Sequence, residues 1–165
     1  MKFDALRSGD RVFIDANIFI YNFGAHSPEC KDVLLRCAKG ELLGITSTFI
    51  LAEVLHRLMI AEAIEKELIT KKDPVKKLRD NPEIIKKLST YIHNIEQISN
   101  MNVEIVQLTL DCIKKSAQIR LSEGILTNDS LVVSTMKEVR ISNLITNDSD
   151  FDRIEWLQIY KPSDV

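Results

Sequence analysis

Glycine is scarce in this chain, with five residues at positions 9, 24, 40, 44 and 124. None falls into a G-x-G-x-x-G or P-loop spacing, so the two common glycine-built cradles for nucleotide phosphates are missing. Cysteine is sparser still. Cys30, Cys37 and Cys112 form no C-x-x-C pair, and an odd number of thiols argues against a disulfide framework. Reduced core thiols in a cytoplasmic protein are the simplest expectation. His26, His56 and His93 are scattered and make no zinc-binding pattern. No apolar run approaches the ~20 residues that span a bilayer, and no signal-peptide pattern opens the chain. The formal charge of −2 excludes a globally basic nucleic-acid binder but leaves local basic patches open.

What is present begins with Val12 to Tyr21, VFIDANIFIY. Val12, Phe13 and Ile14 form a short apolar run that suits a strand buried on both faces. The run stops at Asp15. Asn17 is a cap candidate for a helix carrying Ile18, Phe19 and Ile20. An acid at the carboxyl end of a buried strand, where a helix begins, stands at the usual ligand crevice of an open α/β sheet.

The same grammar continues along the chain. Ser27-Pro28-Glu29 reads as N-cap, first-turn proline and first-turn acid of a helix that runs to about Lys39 and is ended by Gly40. Leu42 to Thr46 reads as a strand, with Ser47 as the next cap. The following helix holds one charged residue, Glu53, between Phe49 and Leu55. Asn81-Pro82-Glu83 opens another helix with Ile84, Leu88, Tyr91 or Ile92, Ile95 and Ile98 at helical spacing. Val103 to Leu108 is a strand, and Leu110, Ile113, Ala117 and Leu121 form a helical stripe ending at Gly124. Asp129 stands at the start of a helix over Leu131 to Val139. Leu144 to Thr146 is a strand, and Trp156 to Tyr160 an edge strand. The tetrapeptide Thr-Asn-Asp-Ser occurs twice, at 127–130 and 146–149.

Strands alternating with helices predict a three-layer α/β/α architecture with a mostly parallel central sheet, as one domain over 1–165 with a helical insertion at about 61–102. In that arrangement Asp15 and Asp148 leave carboxyl strand ends, while Glu53 and Asp129 lie near helix starts. Each acid alone has a structural explanation as an exposed helix residue, a cap or a turn residue. Together at one sheet edge they repel, and they coexist only if some are protonated or a divalent cation sits among them. Oxygen-only ligation favours Mg²⁺ or Mn²⁺ over zinc. Between Lys71 and Lys87 lie seven basic residues against three acids, Lys71, Lys72, Lys76 and Lys77 among them. They read as a solvated face or as an electrostatic guide for a polyanion.

The ordered set Asp15-x-Asn17, Glu53, Asp129 and Thr146-Asn147-Asp148-x-Asp150-Phe151 resembles a PIN-domain nuclease over essentially the whole chain apart from 61–102. The resemblance implies an acidic quartet of Asp15, Glu53, Asp129 and Asp148, with Asn17, Thr146 and Asp150 in support. It implies cleavage of RNA phosphodiesters with Mg²⁺ or Mn²⁺, and many members are VapC-type toxins held by an antitoxin, usually as homodimers. Asp15, Asp129 and Asp148 are then the core metal ligands, directly or through water. Glu53 is a ligand or an orienter of the attacking water, and Asn17 and Thr146 hold water or phosphate. Ser130 stands where the family often has alanine, and 61–102 is longer than compact toxins carry. Two other readings stay open: a regulatory RNA- or protein-binding module on the same fold, and a receiver or phosphohydrolase-like domain with Asp15 as phosphoryl acceptor. The latter lacks an adjacent acid pair near the first strand and a lysine after a late strand.

Overall fold

The structure is a computed structural model that describes all residues from 1 to 165. In chain order its main elements are β1 (Arg11–Ile14), α1 (Ala16–Phe23), α2 (Pro28–Ala38), β2 (Leu43–Ser47) and α3 (Thr48–Glu65). Then come α4 (Pro74–Asp80), α5 (Pro82–Ile85), α6 (Thr90–Ile98), β3 (Glu104–Val106), α7 (Leu110–Glu123) and α8 (Thr127–Glu138). β4 (Asn143–Ile145) and β5 (Gln158–Tyr160) complete the set.

The five strands form one sheet in the order β3-β2-β1-β4-β5, and every neighbouring pair is parallel. β1 is central. Val12, Phe13 and Ile14 have no exposed surface, as expected for an apolar run covered on both faces. Helices α1, α2, α3 and α6 pack among themselves, and α7 pairs with α8. The sheet order runs outward from β1 through β2 to β3, then returns to the other side of β1 for β4 and β5. The switch point therefore lies between the carboxyl ends of β1 and β4, where open α/β sheets form their crevice. No helix is long and apolar enough to cross a membrane.

Several local expectations are met by named contacts. Ser27 accepts from the Cys30 amide at 2.9 Å, and Ser47 from the Ile50 amide at 3.4 Å. Gly124 ends α7 at φ +66°, a conformation that side chains with a Cβ avoid. The three cysteines are free and buried.

Other expectations are corrected. The helix read from Pro82 to Ile98 is two, because the chain breaks at Leu88 and Ser89. Leu88 drops into a second small cluster with Ala63, Ile69 and Leu78. Glu62 accepts from the Ser89 and Tyr91 amides at 3.0 and 2.9 Å, replacing the helical bonds that the break removes. α3 continues to Glu65, so the boundary expected at 61 falls inside a helix. The strands expected over 103–108 and 156–160 each shrink to three residues at the sheet edges. The stripe of Leu110, Ile113, Ala117 and Leu121 faces outward, and α7 instead buries Cys112, Ser116 and Ile119. That inward face is polar enough to be held by hydrogen bonds to α8. Ser134 donates to the Cys112 carbonyl at 2.8 Å, and Arg120 links Ser116 to Ser130 at 2.9 Å each.

Candidate active site

Asp15 is the first residue after β1, and it caps α1 itself: its Oδ1 accepts from the Ala16 amide at 2.7 Å. Asn17, expected to be the cap, is already inside the helix. The register of β1 on β4 pairs Ile14 with Ile145, which sets Asp15 beside Thr146. The Thr146 hydroxyl donates to Asp15 Oδ2 at 2.6 Å, and Asn17 Nδ2 donates to the same oxygen at 2.9 Å. Thr146 Oγ1 also accepts from Asn17 Nδ2 at 3.1 Å and from the Asp148 amide at 3.0 Å. With one proton given and both lone pairs used, this hydroxyl has nothing left for a ligand. It is fully buried. Thr146 therefore positions Asp15 and the Asp148 backbone, where the sequence reading had it holding water or phosphate.

The turn after β4 is built the same way. Asn17 Oδ1 accepts from the Asn147 amide at 3.1 Å, Asn147 Nδ2 donates to the Tyr21 hydroxyl at 3.2 Å, and Asp148 Oδ1 accepts from the Asp150 amide at 2.8 Å. The contact of Asn147 with Tyr21 is not legible in the sequence, since no spacing brings the two together. Asp150 supports the turn through its backbone and pairs with Arg153 at 3.7 Å.

One cleft of about 450 Å³ gathers Asp15, Asn17, Glu53, Asp129 and Asp148 in its lining. Glu53 enters from the first turns of α3, half-buried. Asp129 enters from the third position of α8, whose cap residue Leu126 contributes no side chain. The Leu126 amide at the start of the helix favours the charged form of Asp129 and pulls its pKa down against the larger effect of burial. The electrostatics show mutual crowding. Burial pushes Asp15 from 3.8 up to about 6, opposed by the Thr146 hydroxyl and the Ala16 amide and reinforced by Glu53 and Asp148. Burial also raises Asp129, reinforced by Asp148, Asp150 and Glu53. Arg57, one turn beyond Glu53, is the one basic residue in the lining. Its i,i+4 spacing from Glu53 is legible in the sequence, but spacing alone does not place it at a cleft.

The PIN-domain family model matches residues 12–157. The chain belongs to the PIN-domain family. Ribonuclease VapC2 of Methanocaldococcus jannaschii is 30% identical to this PIN domain over 154 residues, which covers 91% of this chain and 93% of that protein. Among solved structures, VapBC2 from Rickettsia felis bound to a DNA fragment from its promoter superposes with a TM-score of 0.59 at 18% identity, covering 93% of this chain and 99% of that one. A toxin–antitoxin complex from Klebsiella pneumoniae gives 0.57 at 16% identity, with coverages of 93% and 99%. The fold of the PIN domain is thus shared over nearly its whole length.

The donor set in the PIN-domain cleft is oxygen-only, which suits Mg²⁺ or Mn²⁺. No three acidic, cysteine or histidine side chains converge tightly enough to hold an ion alone. A hydrated Mg²⁺ needs only one or two carboxylates and keeps several waters, so the chemistry of the set still fits. Lys71, Lys72, Lys76 and Lys77 are outside the lining. The first three are exposed, and Lys77 is half-buried with its ammonium on the Thr70 hydroxyl.

Proposed function

We propose that this PIN domain is an endoribonuclease that hydrolyses RNA phosphodiester bonds with a divalent cation, Mg²⁺ or Mn²⁺. The supporting observation is the gathering of Asp15, Glu53, Asp129 and Asp148 in one cleft at the switch point of the sheet, with Asp15 and Asp129 both raised by burial and crowding. Carboxylates held together at such cost to folding stability imply a cationic ligand. The bound cation supplies charge neutralisation for the phosphate and a water of lowered pKa.

The chain's own residues do the rest. Asp15, Asp129 and Asp148 would hold the cation, directly or through its waters. Thr146 and Asn17 fix the Asp15 carboxylate in one orientation. Glu53, half-buried and without a hydrogen bond in the chain, orients the attacking water. A phosphoryl-acceptor role for Asp15 is less well supported, since two donors already occupy its Oδ2.

Pairing with an antitoxin belongs to the same proposal, from the likeness to the toxin–antitoxin structure and to Ribonuclease VapC2. The outward apolar residues of α7, Leu110, Ile113 and Leu121, supply a surface that protein assemblies of this kind, a homodimer included, can bury. Lys71, Lys72, Lys76 and Lys77 are proposed to guide RNA toward the cleft. The unpaired, buried thiols are compatible with work in the reducing cytoplasm. The test is cleavage of a panel of structured RNAs with and without Mn²⁺, wild type beside Asp129→Asn. Cleavage that needs the ion and is abolished in the variant is expected; cleavage at the wild-type rate in the variant overturns the assignment.

A further inference from the structure

We infer that Arg57 is a substrate-binding residue that takes a backbone phosphate of the RNA at the mouth of the acidic cleft, an inference that rests on the ribonuclease reading above. Three observations carry it. First, Arg57 brings the sole positive side chain to a lining that holds four carboxylates. A polyanion entering that cleft meets repulsion everywhere except here.

Second, its guanidinium is unspent. Nη1 lies 3.6 Å from Glu53 Oε1, beyond hydrogen-bond reach, and its side chain is 58% exposed. The arginines that serve this fold look different. Arg36 donates to the Phe3 and Leu6 carbonyls, Arg120 to Ser116 and Ser130, and Arg153 to the Gly124 carbonyl. Arg57 donates to nothing in the chain, and an exposed i,i+4 pair of this kind contributes little to folding. Its planar fork of donors is what bidentate recognition of a phosphate requires.

Third, the placement is directional. Glu53, Arg57, Ile60 and Ile64 share one face of α3, with ~6 Å of rise between the first two. Farther along that face, Ile60 and Ile64 pack against the small cluster containing Leu78 of α4. Arg57 therefore stands between the carboxylates and the helix that carries Lys76 and Lys77. A strand leaving the cleft along α3 meets Arg57 first.

The test is equilibrium binding of a labelled single-stranded RNA of mixed sequence to the full chain, in chelator across a salt series. It compares wild type, Arg57→Gln and Arg57→Lys. Arg57→Gln should weaken binding roughly tenfold, the worth of one charge-assisted hydrogen bond. It should also lower the log–log salt slope by roughly 0.7. Arg57→Lys should restore the slope and only part of the affinity, because a point charge replaces the fork. In Mn²⁺, Arg57→Gln should raise KM for cleavage of the same RNA more than it lowers kcat. All three proteins should melt together. Wild-type slope and affinity in Arg57→Gln, with wild-type cleavage intact, overturn this inference alone. A wild-type protein that neither binds nor cleaves RNA overturns the ribonuclease reading along with it.

Discussion

Replacing Asp15 by Asn in metal-free protein should change how stability depends on pH, and the size of the change follows from the site. Burial and the nearby Glu53 and Asp148 carboxylates raise Asp15 from 3.8 to about 6 despite three hydrogen bonds to its oxygens. A rise of that size corresponds to on the order of 3 kcal/mol. The folded state holds the proton more tightly than the unfolded chain, so this stability is fully present below pH 3.8 and is lost as pH rises through about 6. Between pH 4.5 and 7 the loss is about 2 kcal/mol. The amide of Asp15→Asn does not titrate, and the variant escapes that loss. It has its own cost, because an amide nitrogen in place of Oδ2 leaves the buried Thr146 hydroxyl without its acceptor, at roughly 1–3 kcal/mol, and the part-buried Asn17 Nδ2 without its own at a smaller cost. The variant should therefore be less stable than wild type near pH 4.5, and the gap should narrow by about 2 kcal/mol by pH 7. Urea denaturation followed by circular dichroism, with chelator throughout, measures both curves. A gap that stays constant across this range refutes the argument that the Asp15 carboxylate is desolvated and crowded.

Three further outcomes are expected. Saturating Mn²⁺ at a hundredfold excess over its dissociation constant should stabilise the wild type by about 2.7 kcal/mol, and Asp148→Ala should remove most of that increment; equal melting shifts in both proteins would place the ion elsewhere. Glu62→Ala should cost about 2–3 kcal/mol and raise amide exchange at Ser89 to Tyr91, whose amides it caps. Burial alone would raise Glu62, but Lys66 and the Tyr91, Ser89 and Thr90 amides hold it down to about 2. Its contribution is therefore complete above pH 4.5 and fades toward pH 2, and unchanged exchange in the variant would show that α6 does not depend on it. Changing Lys71, Lys72, Lys76 and Lys77 to Gln should reduce the salt slope of RNA binding by roughly 0.7 for each phosphate no longer neutralised, with turnover of bound substrate preserved; an unchanged slope makes them a solvated face.

The parallel α/β order was legible because its signals are local. An apolar run stopped by Asp15, caps at Ser27 and Ser47, and Gly124 after a helical stripe are each decided by a few neighbouring residues. The carboxylates that line the cleft were legible for the same reason, since strand ends and helix starts of a parallel sheet share one edge. What α7 buries was not. Its sequence period marks Leu110, Ile113, Ala117 and Leu121 as one face, but hydrogen bonding of Ser116, Arg120, Ser130 and Ser134 with α8 selects the opposite face for the interior. The break between α5 and α6 likewise depends on Glu62, 27 residues before Ser89, and no local rule registers a cap supplied from another helix. Thr146 shows the division at one residue. Its position after a strand is written in the sequence, whereas the use of its hydroxyl was decided only when β4 settled beside β1 and brought Asp15, Asn17 and the Asp148 amide within reach of one oxygen.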